Sequence, residues 1–297
     1  MVGALAGAVA ANQASPGGDD RAFANLPVAT PARGYAPGPW GLVHYYDNGV
    51  RGRAVLLLHQ APMSARQFDA VYAPLARRGL RAIGVDTPGF GMSDPTPFVP
   101  TIGDWTRAVI AVADHLKLKR FDLVGHHTGA LLGTETAIRH PQRVRAVVIN
   151  GAFPITEAER QSRLERLQRA EIDFVYEPDG SHLVETFKTR YRIYGAGADP
   201  RLITRVTLEK FQGFGPFWHG HNAAYRYDHA EALARLETPA LLLTNTGDQI
   251  YDLAQRARRL RPDLDYVELQ GGSVDITDQQ PEAWCDAVAA FLAKVSA

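Results

Sequence analysis

Three runs of unbroken apolar residues constrain this chain most: AVLLL at 54–58, AVVI at 146–149 and ALLL at 240–243. A strand with one wet face alternates polar and apolar residues. Runs without alternation mark strands covered on both faces, as in a parallel sheet flanked by helices. The intervening segments supply those helices. SARQFDAVYAPLARRG and IGDWTRAVIAVADHLKL carry apolar residues at helical spacing, and the first ends at Gly79, a helix stop. Further strands are expected at GLVHYYD, LRAIGVD, RFDLVGHH and DYVELQ, with a closing helix at PEAWCDAVAAFLAKV. The fold class is therefore α/β, a mostly parallel sheet with helices on both sides.

Between about Pro154 and Leu236 this rhythm stops. The segment is charged, helical in pattern and rich in aromatic residues, with no buried strand. It reads as a helical lid (154–236) inserted into a core formed by 38–153 and 237–297. Residues 1–37 read as a flexible arm. The stretch MVGALAGAVAANQASPGG has the small and apolar residues of an export signal, but no Lys or Arg precedes them. Two readings stay open: an arm on a cytoplasmic protein, or the remainder of a signal that has lost its basic start.

The bulk numbers exclude several classes. Lys plus Arg and Asp plus Glu are 32 each, for a net charge of +0, and no run of like charge offers a nucleic-acid or acidic-membrane surface. No apolar stretch is long enough to span a membrane. Cys285 is the only cysteine, so no internal disulfide forms. No metal or cofactor is expected: His219 and His221 form an H-x-H pair without a third ligand at a diagnostic spacing. The expected partner is a small-molecule substrate, and the sequence leaves the oligomeric state open.

The most informative stretch is LVGHHTGALLG, Leu123 to Gly133. It is laid out as a strand, a sharp turn and a helix, with Gly125 and Gly129 each two residues from His127. With LLLHQAP (56–62), DTPGFGMSD (86–94), TGD ending at Asp248 and QGGSVD ending at Asp275, it resembles the α/β-hydrolase superfamily. The likeness is to the lidded branch that holds esterases, haloalkane dehalogenases and epoxide hydrolases. In that family the motif is the nucleophile elbow G-x-S-x-G, and a late acid orients a histidine that follows the last strand.

Here His127 stands where the nucleophile belongs, Asp248 matches the acid, and Ser273 occupies the place of the late histidine. The resemblance thus implies a site in which histidine and hydroxyl have traded positions: His127 the base, Asp248 its orienter, Ser273 a candidate nucleophile. The oxyanion hole would be the N–H groups of Thr128 and Ala61. Candidate pocket residues are Gln60, Trp105, Phe217, Trp218 and His221, with Phe214 and Tyr225 extending an aromatic strip. His59 and His126 read as scaffold.

Three functions fit. The first is hydrolysis of an ester, lactone or similar acyl bond of a small apolar substrate by Ser273 with His127, or by direct attack of His127. The second is cofactor-free lyase or isomerase chemistry with His127–Asp248 as general base. The third is an inactive homologue that binds a small molecule.

Overall fold

The computed structural model describes residues 31–195 and 197–295. Eight strands form one sheet in the order β1-β2-β4-β3-β5-β6-β7-β8. They are β1 (Ala32–Gly38), β2 (Gly41–Asp47), β3 (Arg53–Leu58), β4 (Leu80–Val85), β5 (Phe121–His126), β6 (Val144–Asn150), β7 (Ala240–Asn245) and β8 (Asp265–Leu269). β1 and β2 form an antiparallel hairpin, β2 runs antiparallel to β4, and β4 through β8 are mutually parallel. The three apolar runs fall in β3, β6 and β7, where Leu56, Leu57, Val147, Val148 and Leu241 are wholly buried. Helices cover both faces, so alternate residues of one strand enter different cores. Leu56 and Leu58 pack in one cluster, Val55 and Leu57 in the other.

The helices are α1 (Tyr72–Arg77), α2 (Ile102–His115), α3 (Thr128–Arg139), α4 (Glu157–Leu167), α5 (Ser181–Tyr194), α6 (Pro200–Gln212), α7 (His219–Arg226), α8 (His229–Arg235), α9 (Tyr251–Leu260), α10 (Ile276–Gln279) and α11 (Pro281–Lys294). α4 to α8 make up the helical insertion between β6 and β7. Its first helix starts on a capping box, in which Thr156 and Glu159 satisfy each other's free N–H groups.

One expectation about the N-terminus needs correction. Residues 1–37 were expected to form a flexible arm, yet Ala32–Gly38 is an edge strand registered from Ala32↔Asp47 to Gly38↔Gly41. Its Pro and Gly residues read as punctuation, but an edge strand tolerates Pro37 because one side of its ladder is unused. The rest of the arm, and the signal-like stretch, lie outside the described residues.

The parallel strands bring the ends of β3, β5, β6 and β7 to one edge of the sheet, beneath the insertion. Ligands of open α/β sheets bind at such an edge.

Candidate active site

The turn between β5 and α3 sets the geometry. His127 adopts φ 48° and ψ −110°, a conformation that costs a non-glycine residue about 1–3 kcal/mol. Close approach explains the flanking glycines. A Cβ on Gly125 would lie 2.1 Å from the carbonyl oxygen of Gly129, and one on Gly129 would lie 1.9 Å from that of Leu58. The turn is pinned from below, where His127 N–H donates to the Asn150 carbonyl at 2.8 Å.

From this pedestal the His127 ring reaches Asp248, in the loop after β7. Nε2 and Asp248 Oδ2 are 2.8 Å apart, and Asp248 Oδ1 accepts the Ile250 N–H at 3.0 Å. The acid is therefore held on both oxygens. Burial alone would lower the pKa of His127, but the charge of Asp248, its hydrogen bond and the more distant Asp275 outweigh it. The net shift is upward. Burial likewise pushes Asp248 up, and His127 more than reverses it, leaving the carboxyl below its ordinary value. With Nε2–H given to Asp248, neutral His127 carries its lone pair on Nδ1, which has no protein partner among the described residues.

Gly151, just after β6, makes room for this arrangement. A Cβ there would lie 2.4 Å from His127 Cδ2 and 2.9 Å from Nε2, and its φ is +80°. Sequence reasoning missed this residue. The signal was a glycine directly after a buried strand, where close backbone approach is the usual reason.

A cavity of about 680 Å³ opens above His127 and extends under the insertion. Gln60, Ala61, Thr128, Phe153, His221 and Tyr225 are among its walls. Thr128 begins α3, so its N–H has no intrahelical acceptor. The Ala61 N–H is likewise without a protein partner among the described residues. Both expected oxyanion donors therefore border the same cavity as His127.

The structure does not join Ser273 to this pair. Its Oγ is buried without a hydrogen-bond partner, and the cavity wall runs through Val274 instead. The Ser273 main chain is pinned, with N–H donating to Gln279 Oε1 at 2.5 Å and C=O accepting from Asn245 Nδ2 at 3.1 Å.

Gln60 borders the cavity, but its amide is committed: Nε2 donates to Asp275 Oδ1 at 2.5 Å. Asp275 is wholly buried, and its other oxygen has no partner. Burial, with Asp278 adding to it, pushes its carboxyl up to about 7. This residue closes a motif used to recognise the fold, yet no role for it was legible in the sequence.

Several pocket assignments need correction. Trp105 is fully buried on the inward stripe of α2 and meets Phe90 edge-on at 6.0 Å, so it is core, not pocket wall. Phe217 does not line the cavity; it packs against Phe174 and Phe211 and lies 4.4 Å beneath Lys210 Nζ. Trp218 precedes α7 and packs edge-on against His219, also away from the cavity. Phe214 is exposed. His221 does line the cavity, paired at 2.6 Å with Glu171. The expectation of an apolar pocket also fails, because Arg163, Arg166, Arg190 and Lys210 are all cavity residues.

The scaffold histidines are as expected. His59 takes the Thr87 N–H on Nε2 at 2.9 Å and bonds the Gln60 carbonyl through Nδ1 at 2.8 Å. His126 is buried against the Gln67 amide, and burial holds its pKa well below the ordinary value. His126, His127 and Asp248 each offer a ligand atom within 4.8 Å of the others, the one grouping among the described residues with a spacing that could hold a metal ion. His219 and His221 do not converge; only His221 faces the cavity.

Comparison with known proteins decides the family. The α/β hydrolase fold family matches residues 53–273, well over half of the chain. The chain belongs to the α/β hydrolase fold family. A 2-(acetamidomethylene)succinate hydrolase of Mesorhizobium japonicum is 26% identical over 256 residues, covering 81% of this chain and 88% of that protein. A haloalkane dehalogenase of Mycolicibacterium paratuberculosis is 32% identical, but over 39% of this chain and only 40% of its own length. Among solved structures, a bromoperoxidase from Bacillus anthracis shares the fold with a TM-score of 0.74 at 17% identity, covering 88% of this chain and 99% of that one.

Proposed function

We propose that this α/β-hydrolase hydrolyses an acyl bond, ester or lactone, using the His127–Asp248 pair to activate water directly. The observation that carries the reading is the 2.8 Å contact of His127 Nε2 with Asp248 on the elbow itself. It leaves Nδ1 free, and Thr128 and Ala61 line the same cavity as His127. A serine Oγ on the same turn would lie one bond from Cβ, whereas Nδ1 lies two bonds out. The extra reach suits a base that holds a water molecule against the acyl carbon.

In this mechanism the water oxygen bonds to the acyl carbon while its proton passes to Nδ1. Asp248 stabilises the imidazolium, and the two N–H groups hold the oxyanion. Collapse of the tetrahedral species breaks the bond to the alcohol oxygen, which takes the proton back from Nδ1. The products are an acid and an alcohol, and no covalent enzyme intermediate forms. Support comes from the fold family and from a relative that is itself a hydrolase.

The test is turnover of a 4-nitrophenyl ester with rapid acid quench and intact-protein mass spectrometry. His127→Ala and Asp248→Asn should each lose at least about 100-fold in kcat/KM, while Ser273→Ala keeps wild-type turnover and no acyl adduct appears. An acyl group on the peptide that contains Ser273, or loss of activity in Ser273→Ala, would refute direct hydrolysis.

A further inference from the structure

The cavity carries more positive charge than its surroundings explain. The whole chain is neutral, yet four cationic side chains border this one space: Arg163, Arg166, Arg190 and Lys210. Its carboxylates are already engaged. Glu171 pairs with His221 through Oε1, leaving Oε2 buried and unbonded, and Glu185 pairs with Lys188 at 2.8 Å. No carboxylate lies within ion-pair distance of the four cations among the described residues. Arg163 has an alternative in the ring faces of Phe153, at 4.8 Å, and Tyr225. Arg166 is exposed at the rim. Arg190 and Lys210 are half-buried and share the field of Glu171, but neither has a carboxylate within 4.0 Å among the described residues.

These two belong to one field. Lys210 sits over Phe174 and Phe217, each at 4.4 Å, and burial, only partly offset by Glu171 and reinforced by Arg190, pulls its pKa down to about 8. Arg190 also acts on Asp275, as does His127, so its influence extends to the catalytic end of the cavity. A half-buried guanidinium at the cavity wall with no carboxylate in bonding range gains a counter-ion and a two-point contact from a ligand carboxylate.

We infer that the acyl substrate carries a carboxylate at the end remote from the scissile bond, and that Arg190 and Lys210 hold it beneath the insertion while the acyl group meets His127. This specifies the substrate class for the hydrolysis proposed above and rests on that reading. It replaces the small apolar substrate expected from the sequence.

The experiment has a binding arm and a turnover arm. By titration calorimetry, glutarate should bind wild type at least about tenfold more tightly than the neutral glutaramide, and more tightly than inorganic phosphate. Arg190→Gln and Lys210→Met should each remove most of that preference, and added salt should weaken it. In turnover, kcat/KM for 4-nitrophenyl hemisuccinate should exceed that for the neutral 4-nitrophenyl pentanoate, and the ratio should fall at least about tenfold in Arg190→Gln. Glutarate binding no tighter than glutaramide in wild type overturns the inference, with no variant required. Phosphate binding more tightly than glutarate overturns the carboxylate assignment. Equal hydrolysis of both esters would leave hydrolysis standing and remove the carboxylate. Glutarate binding that depends on Arg190, with neither ester turned over, would support the anion site and defeat the acyl reaction instead.

Discussion

Gly151→Ala tests whether the elbow histidine is held where the chemistry needs it. Two costs combine. A residue other than glycine at φ +80° is strained by about 1–2 kcal/mol, of which up to about 1 kcal/mol is returned by the stiffer unfolded chain. The second cost is steric. An alanine Cβ would sit 2.4 Å from His127 Cδ2, roughly an ångström inside ordinary contact, and 2.9 Å from Nε2. The ring must retreat by about that much, which carries Nε2 out of hydrogen-bond range of Asp248 from its present 2.8 Å. Breaking a buried pair of this kind costs about 3–5 kcal/mol, and the lower end applies because Asp248 keeps the Ile250 N–H. The expected loss is about 3–5 kcal/mol in urea denaturation at pH 7, with kcat/KM down at least about 100-fold. Gly180→Ala is the control: its φ is +76°, but an added Cβ meets nothing within 4 Å, so only the backbone cost of about 1 kcal/mol applies. In a His127→Ala background the excess of Gly151→Ala over this control should vanish. The reasoning is refuted if Gly151→Ala matches Gly180→Ala in stability and keeps its turnover.

Other outcomes follow from the same geometry. Because the base must be neutral and the pKa of His127 is raised, kcat/KM should climb with pH through a value above 6.5, and Asp248→Asn should shift that limb downward; a limb below 6.5 in wild type would contradict the pairing. The ion pair stabilises the fold between the depressed Asp248 pKa and the raised His127 pKa. His127's contribution fades as pH rises through its folded value, and Asp248's as pH falls through its own. His127→Gly should be more stable than His127→Ala by about 1 kcal/mol, the reverse of the usual order, because glycine relieves φ 48°; equal stabilities by chemical denaturation would show that the turn is unstrained. Asp275 keeps its proton to about pH 7 when folded but loses it near 3.9 when unfolded, so it lowers stability as pH rises across that range, by up to about 4 kcal/mol. Relative to wild type, Asp275→Asn should therefore gain stability between pH 5 and pH 8, and parallel pH profiles for the two proteins would count against a buried acid.

How much of this was legible depends on which interactions are local. The sheet was, because burial on both faces writes itself into consecutive residues such as Val55 to Leu58. The elbow was, because its glycines are demanded by contacts within a few residues and with the adjacent strand. His127, Thr128 and Ala61 line one cavity, with Asp248 bonded to His127, because the parallel topology places their loops at one edge. What stayed hidden depends on distant partners. Nothing in GGSVD says that the Ser273 hydroxyl is left without a partner while Asp275 reaches Gln60, 215 residues away in sequence. Trp105 and Phe217 were assigned to the pocket by residue type, but an aromatic side chain serves a core as well as a cavity wall. Arg190 and Lys210 lay unnoticed in the charged helical insertion, because net charge does not show where charges converge.

The departures at positions 60, 127 and 273 look independent along the chain, and counted that way they favour a decayed site. In three dimensions they are one rearrangement. A histidine on the elbow reaches Asp248 without help, so the late loop no longer has to supply an imidazole. Released from that duty, the loop leaves the Ser273 hydroxyl buried without a partner and sends Asp275 to bind the Gln60 amide, which stands where the family usually has glycine. Decay by loss of the late histidine would leave the Asp248 carboxylate buried and unpaired, a cost of several kcal/mol that drift tends to remove by replacing the acid. Instead Asp248 accepts two hydrogen bonds, one from His127, and a strained turn is retained to present that residue to the cavity. Strain held in place beside a paired acid and two free N–H groups supports the hydrolytic reading proposed above over an idle site.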